Sequence, residues 1–261
     1  MLQWMFGDFT ALQIAVLAIG AVIIGINKTA IPALGALVVV MFTQFFDPAV
    51  ASAAVLPLLC VGDVLAVVWY RRSANWKFVI NLLPWAFVGL MLGMLVVRGI
   101  TDLNVLGIAI AVIILAVQTL SLTRGRLQAK IDAWRGSMGM AAVFGILAGF
   151  TTQVANAAGP VMAIYLVLMK FSKEEYIGSA AWYFLILNWI KLPLFALDGR
   201  LTLDVLKIVP GMVIFLIIGS AIGILLLKNI SQKSFTRIIQ ILTALCALRL
   251  LWISLAKMGV F

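Results

Sequence analysis

The chain contains no histidine and only two cysteines among its 261 residues. Without histidine, a hydrolytic centre built on an imidazole base or ligand is excluded, and so is a Cys–His couple. Cys60 and Cys246 both fall inside apolar runs, too few and too far apart for a disulfide framework or a CxxC centre. No metal site and no cofactor is expected. Charge is scarce as well: 11% of residues are charged, against about a quarter in an ordinary soluble domain. Low polarity excludes a disordered chain, and 21 glycines without a triplet period exclude a collagenous one. The first ten residues hold Asp8 and no Lys or Arg, so they lack the basic start of a cleaved signal peptide. What fills the chain is apolar: 65% of it is hydrophobic. Such a chain cannot hide its apolar surface from water, so its solvent is the bilayer and it is an all-α polytopic membrane protein.

Apolar runs bounded by charges or turn residues mark ten segments. In the first half they are 11–26, 30–46, 50–70, 77–97 and 103–122; in the second, 137–153, 158–171, 176–197, 203–227 and 234–256. A membrane helix needs about 20 apolar residues. The last three segments of each half reach that length. The first two of each half are short, and the interruptions between them run from Gly25 to Pro32 and from Thr151 to Pro160. These pairs either span, broken at the midplane, or return as re-entrant hairpins, giving eight to ten membrane segments. A basic linker, 123–136, divides repeat 1–122 from repeat 137–261; its Leu127, Ile131 and Trp134 fit an amphipathic surface helix or a plain loop equally.

The net charge of +10 is a matter of orientation rather than nucleic-acid binding. If the chain changes side at each segment, twelve basic residues face one side and Arg98, Arg200, Lys207 and Lys257 the other. The positive-inside rule then puts the linker in the cytoplasm and both termini outside, as in a bacterial inner membrane.

The halves match at an offset of 128, which lays Pro32 on Pro160, Asp47 on Glu175 and Ala53 on Ala181. A two-residue slip lays Pro84 on Pro210 and Gly93 on Gly219. Five segments per half is an odd number, so the second repeat enters the membrane inverted. Inverted repeats whose short, interrupted segments correspond are the mark of a secondary transporter, with its site near the midplane where the interruptions meet.

Lys28 lies between Asn27 and Thr29 in an apolar stretch, and an intramembrane charge is a functional candidate by default. Backbone N–H groups freed by the break would add to an anion site; alternatively Lys28 snorkels to the surface. Thr151, Thr152, Gln153 and Asn156 offer hydrogen-bond donors beside small residues, as ligand contacts or as polar glue between helices. Gly25, Pro32, Gly159 and Pro160 are the helix-breaking positions. At the offset of 128, Asn156 is the counterpart of Lys28, and Lys191 of Asp63. Asp63 and Lys191 either form an ion pair or divide the work, Lys191 serving the anion and Asp63 the proton. Asn188 falls one turn before Lys191 on the same face, and Trp182 and Trp189 lie deep enough to line a cavity or pack a core.

The first interruption, Gly25-Ile26-Asn27-Lys28-Thr29 through Pro32, resembles the opening motif of the TauE/SafE sulfite-exporter family, with Ala30 and Ile31 where that family has glycines. The second resembles it more closely: Gly149-Phe150-Thr151-Thr152, then Ala155 through Pro160, Gly178, Ala181-Trp182 and Asn188 through Pro193. The likeness spans about residues 12–256. It implies a transporter, usually an exporter, of small sulfur-containing anions such as sulfite or organosulfonates, rather than an enzyme. The residues alone also admit a carboxylate transporter or an anion channel. The expected partners are a small anion and the lipid bilayer; a homodimer is left open.

Overall fold

The computed structural model describes residues 9–42, 44–46, 48–99, 132–156, 158–197, 199 and 201–258, with isolated helical positions 108, 111, 112, 115 and 119. Apart from those positions the fifth segment of the first half, and with it residues 123–131 of the linker and both chain ends, lies outside the described residues.

Among the described residues every regular element is helical. The elements are α1 (Ala11–Thr29), a 3-10 turn (Pro32–Leu34), α2 (Gly35–Phe42), α3 (Pro48–Tyr70), α4 (Trp76–Gly99), α5 (Met138–Ala155), α6 (Ala158–Leu168), α7 (Lys173–Leu197), α8 (Leu203–Asn229) and α9 (Gln232–Lys257). Six of them, α1, α3, α4, α7, α8 and α9, are long and apolar enough to cross a membrane. The chain is thus a multi-pass membrane protein. Hydroxyl caps start several helices: Thr10 on α1, Ser137 on α5, Thr202 on α8 and Ser231 on α9 each accept a backbone N–H from the first turn.

The first segment differs from its sequence-based bounds. Asn27, Lys28 and Thr29 remain helical, so α1 is a full 19-residue span that breaks at Ala30 and Ile31. Gly25 is consequently not a break but an interior position of α1. The polar residues stay helical because their side chains are used locally. The Thr29 hydroxyl lies 2.8 Å from the Gly25 carbonyl, and Asn27 Oδ1 accepts the Gly35 N–H at 2.7 Å across the break. Pro32 opens the 3-10 turn, where its missing N–H costs nothing. The second break falls at Asn156, in the left-handed region (φ 51°), shortly before Gly159 and Pro160 in the first turn of α6.

The chain forms two compact units, each drawn from both halves of the sequence: residues 1–75 with 173–230, and 76–172 with 231–261. In the first, α1 packs along α8, and α3 packs on α7 and α8; Leu17, Ile24, Phe42, Leu58 and Leu216 fill its core. In the second, α4 packs along α5, and α6 against α5 and α9, with Tyr165 stacked on Phe144 at 4.7 Å.

The α1–α8 and α5–α4 contacts are copies of one another. A side chain at Gly25 would strike the Leu216 carbonyl, and one at Gly219 the Val22 carbonyl. In the second unit, Gly149 faces the Ala86 carbonyl and Gly89 the Ile146 carbonyl in the same way. About one turn on, Gly223 meets Thr29 and Ile26, and Gly93 meets Gln153 and Phe150. Small residues let membrane helices touch backbone to backbone, which lipid tails cannot imitate. Gly149→Val should therefore destabilise by about 3 kcal/mol, seen as a large loss of Tm in detergent. The control, Val143→Ala at an exposed position of α5, should change Tm little.

Candidate functional site

Three helices of the first unit converge on a buried charged cluster. Lys28 comes from the last turn of α1, where a cation complements the negative end of the helix dipole. Its ammonium lies 2.6 Å from Asp63 Oδ1 of α3, both side chains being almost wholly buried, and 4.5 Å from the centre of the Phe184 ring of α7. The other carboxylate oxygen, Oδ2, accepts a hydrogen bond from Asn188 Nδ2 at 2.7 Å. Lys191, one turn beyond Asn188, is fully buried, and its ammonium lies 5.3 Å from the centre of the Phe195 ring. Gly62, beside Asp63, leaves room for the Lys28 stem and Ile24: a Cβ there would come within 3.1 Å of Lys28 Cγ. Thr29 is directed elsewhere, its hydroxyl lying 3.1 Å from the Ser220 carbonyl of α8 as well as near Gly25.

Of the sequence candidates, Asn27, Lys28, Thr29, Asp63, Asn188 and Lys191 thus belong to one unit. Thr151, Thr152, Gln153 and Asn156 belong to the other, at the end of α5. Thr151, Thr152 and Gln153 are buried there. Both amide atoms of Gln153 are buried without a hydrogen-bond partner among the described residues, a costly state that a bound ligand would relieve. Asn156 caps α5 through its backbone, its N–H donating to the Thr152 carbonyl at 3.0 Å. Its left-handed conformation is one that asparagine tolerates better than most residues.

The packing also revises which residues correspond. Aligned through the two glycine contacts, Thr29 takes the place of Gln153, Lys28 that of Thr152 and Asn27 that of Thr151, 124 positions apart. Lys28 is therefore not the packing counterpart of Asn156. On the partner helices Gly89 answers to Gly219 and Gly93 to Gly223, 130 apart. The two breaks are polar in different ways: one ends in a charged turn, the other in a neutral turn rich in hydrogen-bonding groups.

The model of the sulfite exporter TauE/SafE family matches residues 14–250. The chain belongs to the TauE/SafE family. No curated protein and no solved structure matches it significantly. In this TauE/SafE member, two site residues escape motif reading. Phe184 is the first. With Asn188, Lys191 and Phe195 it makes a stripe at spacings of four, three and four along one face of α7, a signal that helical periodicity holds but that polar residues alone do not reveal. Gly62 is the second, and only its packing identifies it. Trp189 is 55% exposed and faces away from the cluster, while Trp182 packs against Ala66, Val67 and Ala181.

Removing one partner of a buried ion pair leaves the other uncompensated, at about 3–5 kcal/mol. Lys28→Met and Asp63→Leu should each lower Tm sharply in detergent. The double variant should recover much of the loss, giving a favourable coupling in a double-mutant cycle. Additive losses would show that Lys28 and Asp63 do not depend on each other.

Proposed function

We propose that this protein is a secondary transporter that exports small sulfur-containing anions, sulfite or organosulfonates, across a bacterial inner membrane. The observation that carries the reading is Lys28: an ammonium buried in a membrane helix, at a break, beside a carboxylate. A charge kept at such expense is rarely structural alone. In this reading Lys28, with Asn27, Thr29, Asn188 and Lys191 around it, forms the charged substrate site. Thr151, Thr152, Gln153 and Asn156 supply neutral contacts at the second break, Gln153 with an unspent amide. The repeats are inverted, both termini lie outside the cytoplasm, and access alternates around the site. The membrane potential or a proton gradient supplies the drive. Moving one charge through 100 mV is worth about 2.3 kcal/mol, enough to expel an anion from a negative interior.

Support comes from the family, from the sign of the buried charge at the first break, and from the element order. Among the described residues each half opens with a helix, a break and a short helix before its longer helices, and α1–α8 packing is repeated in α5–α4.

The test is flux in liposomes holding the purified chain. Sulfite flux should saturate, show counterflow with an organosulfonate and fall at least tenfold in Lys28→Gln. A flux linear in concentration without counterflow would indicate a channel; saturation by lactate in place of sulfite would make it a carboxylate carrier.

A further inference from the structure

Gln153 is buried in the last turn of α5. Its stem lies against α4, where a Cβ at Gly93 would come within 2.9 Å of Gln153 Cβ and 3.3 Å of its Cγ. Thr29 holds the matching place in the first unit, opposite Gly223. There the polar group is spent on joining helices: the Thr29 hydroxyl lies 2.8 Å from the Gly25 carbonyl and 3.1 Å from the Ser220 carbonyl of α8. Gln153 does no such work, since neither Oε1 nor Nε2 has a hydrogen-bond partner among the described residues. Thr151, half a turn earlier, is satisfied by contrast, its hydroxyl donating to the Ala148 carbonyl at 3.2 Å. Gln153 is therefore not polar glue between α5 and α4, and two buried polar atoms left idle are costly. An amide has two needs at once: Nε2 wants an acceptor and Oε1 wants a donor. The two atoms are spaced much as two oxygens on one sulfur are.

We propose that Gln153 is a specificity-determining residue that reads the protonation state of the substrate, taking hydrogen sulfite edge-on through both amide atoms. The proposal rests on the anion-transport reading above and narrows sulfite to its singly protonated form. Nε2 donates to one sulfur-bound oxygen, and the S–O–H group donates to Oε1. The sulfite dianion has no proton to give, so it would leave Oε1 idle. A buried site built for a donor rejects an analogue that lacks one, because the protein's own group is then left unpaired.

The experiment compares hydrogen sulfite with methanesulfinate, monoanions of one shape in which a methyl group replaces the hydroxyl. Binding to the purified full-length chain is measured by calorimetry in mildly acidic buffer, where sulfite is singly protonated. The wild type should favour hydrogen sulfite by about tenfold or more. Gln153→Leu and Gln153→Met, which have no amide, should bring that ratio to within about threefold of one by weakening hydrogen sulfite. A second readout needs no ligand. Both variants should melt no lower than the wild type, since Gln153 has no bond to lose, whereas Thr29→Val gives up its bridge to α8 and should melt lower.

A wild-type ratio near one, a preference kept by whichever variants fold, or both ligand-free variants melting as low as Thr29→Val would overturn the role of Gln153. Persisting sulfite flux would in each case leave the transport reading standing. Binding of neither anion together with no sulfite flux would instead remove the reading beneath it.

Discussion

Helices in a bilayer gain little by exchanging lipid tails for one another's apolar side chains, so what joins them must be something lipid cannot offer. Here that is backbone contact through glycine. Gly25 and Gly219 bring α1 and α8 together, and Gly149 and Gly89 do the same for α5 and α4. The rest of the first unit depends on this approach. It places the last turn of α1 beside α8, where Thr29 reaches the Ser220 carbonyl, and so fixes the azimuth of α1. With Thr29 committed to α8, Lys28 one residue earlier is turned toward α3 and α7, where Gly62 makes room for its stem.

The charged cluster is costly in proportion to its burial. A lysine and an aspartate nearly stripped of solvent are tolerable only because each satisfies the other and because Asn188 and Phe184 take up what remains. The dipole of α1 contributes in the same sense, since its carbonyl end faces the ammonium. The neutral break is the reverse case. Its αL cap on Asn156 completes the backbone of α5, and Gln153 remains unsatisfied.

Much of this was legible in the residues, and the failures share a cause. Helix positions followed from apolar runs ended by charges or turn residues, and the candidate charges stood out because ionisable groups are rare in such runs. The register between halves did not follow. Pro32 and Pro160 set an offset of 128, whereas glycine packing sets 124 for α1 and α5 and 130 for α8 and α4. The slipped match of Gly93 with Gly219 errs likewise, since Gly93 does the work of Gly223. Each error is four residues, about one helical turn. A shift of one turn returns nearly the same face, so an apolar pattern cannot distinguish the two alignments; only the carbonyl each glycine touches does. The α1 boundary was misplaced because polarity was read as a break, although Asn27 and Thr29 use their side chains to keep the turn helical.

The exchange of packing partners also governs how the protein comes into being. The helix that α1 embraces, α8, begins at residue 203, and both compact units take material from both halves. As the chain leaves the ribosome, α1 enters the membrane long before its partner exists. Its glycine-lined face must meanwhile rest against lipid or against the insertion machinery. Assembly is accordingly a late event, completed only when nearly the whole polypeptide has been made, and neither half of the chain carries within itself the surface its first helix needs.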